Sequence, residues 1–254
     1  MRLNYKSFGK GEPLIILHGL LGSLDNWQSI ARKLSDDYKV YIVDQRNHGK
    51  SPHSEEHTFE SMQQDLLELM DSEEIEKANI LGHSMGGKTA MLFAIKNPDR
   101  VNKLIVVDIA NKAYGRGHDD IFKALMAVPI DEIESRNEAE EVLAKYIPQK
   151  AIRLFLIKNL DRLGSSDNFT WKMNLDALWE NYDRISEVLP NGVFEGNVLF
   201  LKGEHSPYIQ KADEALIKKQ FPKAVIKTVP NAGHWVHAES PKEFLKILKA
   251  FLES

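Results

Sequence analysis

Apolar residues along this chain follow two rhythms. Short, almost unbroken runs sit at Pro13 to Leu17, Lys39 to Val43, Ala78 to Leu81, Leu104 to Val107 and Val198 to Leu201. Runs this short and this uniformly apolar predict strands covered on both faces. Leu3 to Phe8 and Ala224 to Val229 add two further strands. Between the runs, apolar residues recur every third or fourth position. Trp27, Ile30, Ala31 and Leu34 share one face of a helix over Asn26 to Leu34. Phe59, Met62, Leu66, Leu69 and Met70 do the same over Thr58 to Met70. Further helices are predicted at Lys88 to Asn97, Asp213 to Gln220 and Lys242 to Leu252. Strands alternating with helices predict an α/β architecture built on a mostly parallel, doubly wound sheet.

The alternation breaks once. From about Ala113 to Val188, helical segments follow one another at Ile121 to Met126, Glu138 to Tyr146, Ala151 to Leu160 and Asn174 to Ile185, with no strand predicted. The expected organisation is a core of residues 1–112 and 189–254 with a helical cap, 113–188, inserted after the strand that ends at Asp108. No repeat, low-complexity tract or linker divides the chain further.

A chain of 254 residues suits one large α/β domain. Its net charge of −4 provides no general attraction to nucleic acid or anionic membranes. The absence of cysteine excludes disulfides and a thiol nucleophile. The first residues, Met1 to Lys6, lack the apolar stretch of a signal peptide, and no run has the length of a membrane span. The expectation is a cytoplasmic enzyme without a cofactor.

The candidate chemistry sits at strand ends, where doubly wound sheets place their sites. Gly82-His83-Ser84-Met85-Gly86 lies between a strand and a helix and has the form G-x-S-x-G. A sharp turn there forces the serine into a strained conformation, so its flanking residues must be small. His234, in Asn231-Ala232-Gly233-His234-Trp235, follows the last strand and could take the serine proton. His237 comes three residues later, but no carboxylate or third histidine joins the two at helical spacing, so no metal site is expected.

These segments give the chain a plain resemblance to α/β-hydrolases over nearly its whole length. His18-Gly19-Leu20-Leu21-Gly22, Gly82 to Gly87 and Asn231 to His237 carry it. Gly203-Glu204-His205-Ser206-Pro207-Tyr208, with the Ala232 to His237 tail, is similar to the YbfF-type esterases. The resemblance implies cleavage of acyl esters or acyl-CoA thioesters, with Ser84 as nucleophile and His234 as general base. It also implies an oxyanion hole from the N–H groups of Leu20 and Met85. Many relatives carry the acid as G-x-x-D, where this chain has Ser206. Asp108, at an apolar strand's end, is the preferred acid, and Glu204 is the alternative. The competing reading of Asp108 is a cap or turn residue. Ser206 is expected to bridge Asp108 and His234.

Arg46 lies in a stretch similar to the family's D-x-R-G-H-G-x-S loop, with Asn47 replacing the first glycine. His18, Leu21, Arg46, Trp179 and Trp235 are the candidate substrate contacts, with an ion pair the competing role for Arg46. Trp171, Met173, Leu175, Leu178 and Tyr182 make the cap rich in large apolar groups, suggesting an acyl pocket. Lys88, Lys112, Arg116 and Lys172 could meet an anionic substrate portion such as CoA. The expected partner is a small-molecule acyl ester or thioester, without nucleic acid or membrane, on a monomer or homodimer. Two rival readings stay open: a carbon–carbon bond hydrolase of ring-fission diketones and a catalytically silent ligand-binding protein. Epoxide hydrolases and dehalogenases are disfavoured, because they place aspartate at the elbow.

Overall fold

The computed structural model describes residues 1–162 and 168–254. Its strands are β1 (Tyr5–Phe8), β2 (Glu12–Leu17), β3 (Tyr38–Val43), β4 (Ala78–His83), β5 (Val101–Val107), β6 (Leu160–Arg162), β7 (Phe169–Trp171), β8 (Asn197–Gly203) and β9 (Ala224–Val229). All but β6 and β7 form one sheet in the order β1-β3-β2-β4-β5-β8-β9. Within this sheet, β1 alone runs antiparallel to its neighbour.

Strand periodicity explains why these segments are so uniformly apolar. Ile15, Ile80, Leu104 and Val198 align across β2, β4, β5 and β8, and all four belong to one core. The next row, Ile16, Leu81, Ile105 and Leu199, belongs to a second core on the opposite face. Alternate side chains thus enter different cores, and both must be apolar. Helices α1 (Gln28–Leu34) and α11 (Pro241–Leu252) cover the second core. Helices α2 (Phe59–Ser72) and α3 (Met85–Lys96) cover the first. Thr58 starts α2 by accepting a hydrogen bond from the Ser61 N–H at 3.1 Å.

Between β5 and β8 the chain forms α4 (Asp119–Met126), α5 (Arg136–Ala144), α6 (Lys150–Ile157), α7 (Leu175–Glu180) and α8 (Tyr182–Ser186). This segment is not wholly helical, as the sequence suggested. β6 and β7 pair antiparallel within it, and Leu160, expected at a helix end, is the first residue of β6. The chain closes through α9 (Glu214–Gln220), α10 (Val236–Glu239) and α11.

The turn from β4 to α3 leaves no room for side chains. A Cβ on Gly82 would lie 2.1 Å from the Gly86 carbonyl oxygen, and one on Gly86 would lie 2.5 Å from that of His18. Both clashes are with backbone, which cannot rotate away. Gly82→Ala is therefore expected to cost about 3 kcal/mol of stability, read from urea denaturation. An unchanged midpoint would show that the turn relaxes freely.

Candidate active site

The site is assembled from the turns that follow β2, β4, β5, β8 and β9. Ser84 has φ 53° and ψ −118°, a conformation strained for any side chain. Its N–H donates to the Val107 carbonyl at 3.0 Å, and its carbonyl accepts from the N–H groups of Gly87 and Lys88. These bonds hold the strain and begin α3 at Met85.

His234 lies between Ser84 and Asp108. Its Nε2 is 3.1 Å from the Ser84 hydroxyl, and its Nδ1 donates to Oδ2 of Asp108 at 2.7 Å. Asp108 is fully buried, and its Oδ1 accepts from the Gly203 N–H at 3.0 Å. The Ser206 hydroxyl donates to the same Oδ2 that receives His234. Ser206 thus stands beside the carboxylate rather than bridging it to the imidazole. Glu204 turns elsewhere: it is exposed and accepts the Asn231 N–H at 2.9 Å. Its contribution is to brace the loop that carries His234.

Three further groups position that imidazole, and the sequence reading missed their roles. Glu239 accepts the N–H groups of Gly233 and Trp235 at 2.7 and 3.1 Å, gripping the loop on both sides of His234. His83 Nε2 lies 2.9 Å from the His234 carbonyl. The Tyr208 ring stacks on the imidazole, with centroids 4.0 Å apart. Tyr208 stood inside the Gly203 to Tyr208 segment that signalled the resemblance, but nothing local indicated where its ring would lie.

The loop after β2 carries Leu20. The N–H groups of Leu20 and Met85 have no hydrogen-bond partner among the described residues. The Leu21 N–H donates to His48 Nε2 at 3.1 Å, and the Asn159 side chain donates to the Leu21 carbonyl at 2.7 Å. Leu21 takes φ 58°, which turns the chain at that point. His18 Nε2 accepts the Gln45 N–H, and His18 Nδ1 donates to the Gly19 carbonyl. With both nitrogens spent on backbone, His18 braces this loop and offers substrate only its ring face.

Two cavities open at Ser84. One, of about 570 Å³, is lined by residues including Met85, Ile109, Tyr114, Ile185 and Tyr208. The other, of about 520 Å³, is lined by residues including His18, Leu21, Phe155, His234 and Trp235. Arg46 and Trp179, both candidate contacts, line neither. Arg46 is buried and donates to both Asp65 oxygens, at 2.6 and 2.9 Å, so the ion-pair role is the one observed. Trp179 packs on Phe122, and the Arg116 guanidinium lies over its ring.

The model of the alpha/beta hydrolase fold family matches residues 12–241, and the chain belongs to that family. Among its relatives, the sn-1-specific diacylglycerol lipase ABHD11 of Mus musculus is 40% identical over 94% of this chain and 80% of its own length. Esterase YbfF of Escherichia coli K12 is 36% identical over 94% of this chain and 92% of its own. A solved structure titled "Marine microorganism esterase" superposes with a TM-score of 0.96 at 45% identity, covering 98% of this chain and 99% of that one. Among the described residues, no helix is long and apolar enough to cross a membrane.

The histidines around the site give it a pH signature. Burial pushes His237, stacked on Trp27, and His57 each down to about 3, and it lowers His18, His48 and His83 as well. In the unfolded chain each titrates near its ordinary value of about 6.5. Below that pH the unfolded state binds protons that the folded state refuses. Stability is therefore full above about pH 6.5 and falls as the pH drops toward the folded values. His237→Phe removes one such group, whose Nδ1 has no partner. The slope of unfolding free energy between about pH 4 and 6 should fall by up to about 1.4 kcal/mol per pH unit. Identical slopes for variant and wild type would contradict the assignment of a buried neutral imidazole.

Proposed function

We propose that this chain is a serine carboxylic ester hydrolase acting through an acyl-enzyme on Ser84, with short- to medium-chain acyl esters as substrates. The observation that carries the reading is the unbroken relay from the Ser84 hydroxyl through His234 to a fully buried carboxylate. The names of the relatives, an esterase and a diacylglycerol lipase, support the same reaction class.

In this mechanism Ser84 Oγ attacks the ester carbonyl while His234 Nε2 takes its proton. Asp108, against Nδ1, fixes the tautomer and stabilises the imidazolium. The free N–H groups of Leu20 and Met85 receive the developing oxyanion. Collapse expels the alcohol, which takes the proton back from Nε2, and water repeats the sequence to release the acid. Because the departing oxygen must meet His234, the alcohol portion occupies the cavity that His234 lines. The acyl chain then enters the cavity lined by Met85, Ile109 and Ile185.

Esters are favoured over acyl-CoA because the four cations that the sequence offered for CoA phosphates already have partners. Lys112 pairs with Asp213 at 2.6 Å, and Arg116 with Asp119 and Asp183 at 3.0 and 2.6 Å. Lys88 donates to backbone carbonyls, and Lys172 faces Asp161 at 3.9 Å. The compartment proposed is the cytoplasm, with a small-molecule ester as the partner.

With p-nitrophenyl butyrate, Ser84→Ala should lower kcat by about a million-fold. Asp108→Asn should lower it by about ten-thousand-fold, through the wrong histidine tautomer. Ser206→Ala, which removes one neutral hydrogen bond to the carboxylate, should cost about five- to tenfold. Glu204→Gln should cost less than any of these. A crippling Glu204→Gln beside a mild Asp108→Asn would reassign the acid.

A further inference from the structure

Among the described residues, the two cavities share three in their linings: Leu20, Ser84 and His118. Leu20 and Ser84 belong to the proposed chemistry. The third comes from the insert, immediately before α4, and the mechanism does not use it. We propose that His118, held by Tyr182, is a specificity-determining hydrogen-bond donor that selects esters whose alcohol portion carries a further oxygen, as in esters of glycols and glycerol. This inference rests on the esterase reading and extends it to the substrate class.

The ring is fixed from behind. His118 Nδ1 lies 2.6 Å from the Tyr182 hydroxyl, and the two rings meet edge to face at 5.7 Å. Tyr182 is buried and packs in turn on Phe122. Burial pushes the His118 imidazole down to about 4, so it stays neutral at ordinary assay pH. A phenol is a better donor than acceptor, and imidazole nitrogen is the stronger acceptor of the two. Tyr182 therefore donates to Nδ1, and the ring proton resides on Nε2. Among the described residues Nε2 has no partner, so a preoriented donor is left at the seam between the cavities.

The alcohol side is where this donor counts. The cavity lined by His234 has Ile121, Ile152, Phe155 and Trp235 among its apolar walls. Several of its polar side chains are engaged: His18 with Gln45 and Gly19, Asn26 with Ser23, Glu239 with Gly233 and Trp235, and Asp25 with Lys6 and Gln28, while Ser29 and Lys158 also line it. An oxygen on the bound alcohol would lose its water there, and His118, which lines both cavities together with Ser84, offers it a donor already oriented by Tyr182. An unpaired buried acceptor is costly, so the donor discriminates hydroxylated alcohols from plain alkyl ones.

The test compares glyceryl 1-monobutyrate with n-propyl butyrate, which share the acyl chain and the three-carbon alcohol skeleton. Wild type should show a kcat/KM ratio above one in favour of the glyceryl ester. His118→Phe should lower that ratio by about tenfold, and Tyr182→Phe by several-fold, since it frees the imidazole to change tautomer. His118→Gln, which retains a donor, should restore most of the ratio. A wild-type ratio below one, or a ratio that stays within about twofold in both His118→Phe and Tyr182→Phe, overturns the assignment of His118 alone. Failure of wild type to cleave either ester overturns the esterase reading and this inference with it.

Discussion

A single buried carboxylate organises the site. Asp108 is fully removed from solvent, and an isolated charge there would be prohibitively costly. It is satisfied by donors from three places in the chain: the Gly203 N–H at the end of β8, the Ser206 hydroxyl, and His234 after β9. Asp108 also takes φ 54°, a left-handed conformation that aspartate tolerates better than most residues. Its own N–H is fixed to the Leu201 carbonyl at 2.8 Å. The need to pair this charge therefore draws the loops after β5, β8 and β9 together, and the histidine is positioned as a consequence.

Ser84 is placed by a different constraint, a strained backbone held by hydrogen bonds and close glycine contacts. The two constraints meet in α3. One turn after Ser84, Lys88 is buried and donates to the carbonyls of Lys112 and Glu187 at 3.0 and 2.5 Å. Those carbonyls lie at the two ends of the insert. The Tyr114 N–H also donates to Ser186, and Asn111 accepts the Leu189 N–H at 2.6 Å. The segment that carries His118 and Ile185 is thereby fixed to the helix that begins at the serine. Burial pushes the Lys88 ammonium down to about 8, the electrostatic cost of this staple.

The sheet was legible because burial on both faces leaves an unbroken apolar signature in Pro13 to Leu17 and Leu104 to Val107. The elbow and His234 were legible because their chemistry demands particular residues at strand ends. What the pattern hid was non-local. β6 and β7 are three residues each and include Asp161, Arg162 and Thr170, too short and too polar to show a period. Arg46 meets Asp65 from a different element, and no spacing rule announces that pairing. Ser206 is near the acid as expected, but which oxygen it reaches depends on how two loops pack. Trp179 looked like a pocket residue by size alone, whereas Phe122 claims its ring. His118 gave no signal and Tyr208 none beyond its place in the Gly203 to Tyr208 motif, since their roles exist only once the insert and the β8 loop pack beside Ser84.

The central claim is that Ser84 is activated by His234 under the charge of Asp108. Covalent labelling with a fluorophosphonate tests it most directly, because the reagent reports an activated serine whatever the natural substrate is. One equivalent should be incorporated, located by peptide mass analysis on the segment bearing Ser84, with labelling slowed by orders of magnitude in His234→Ala. Labelling at another serine, or labelling of Ser84 at an undiminished rate in His234→Ala, would contradict it.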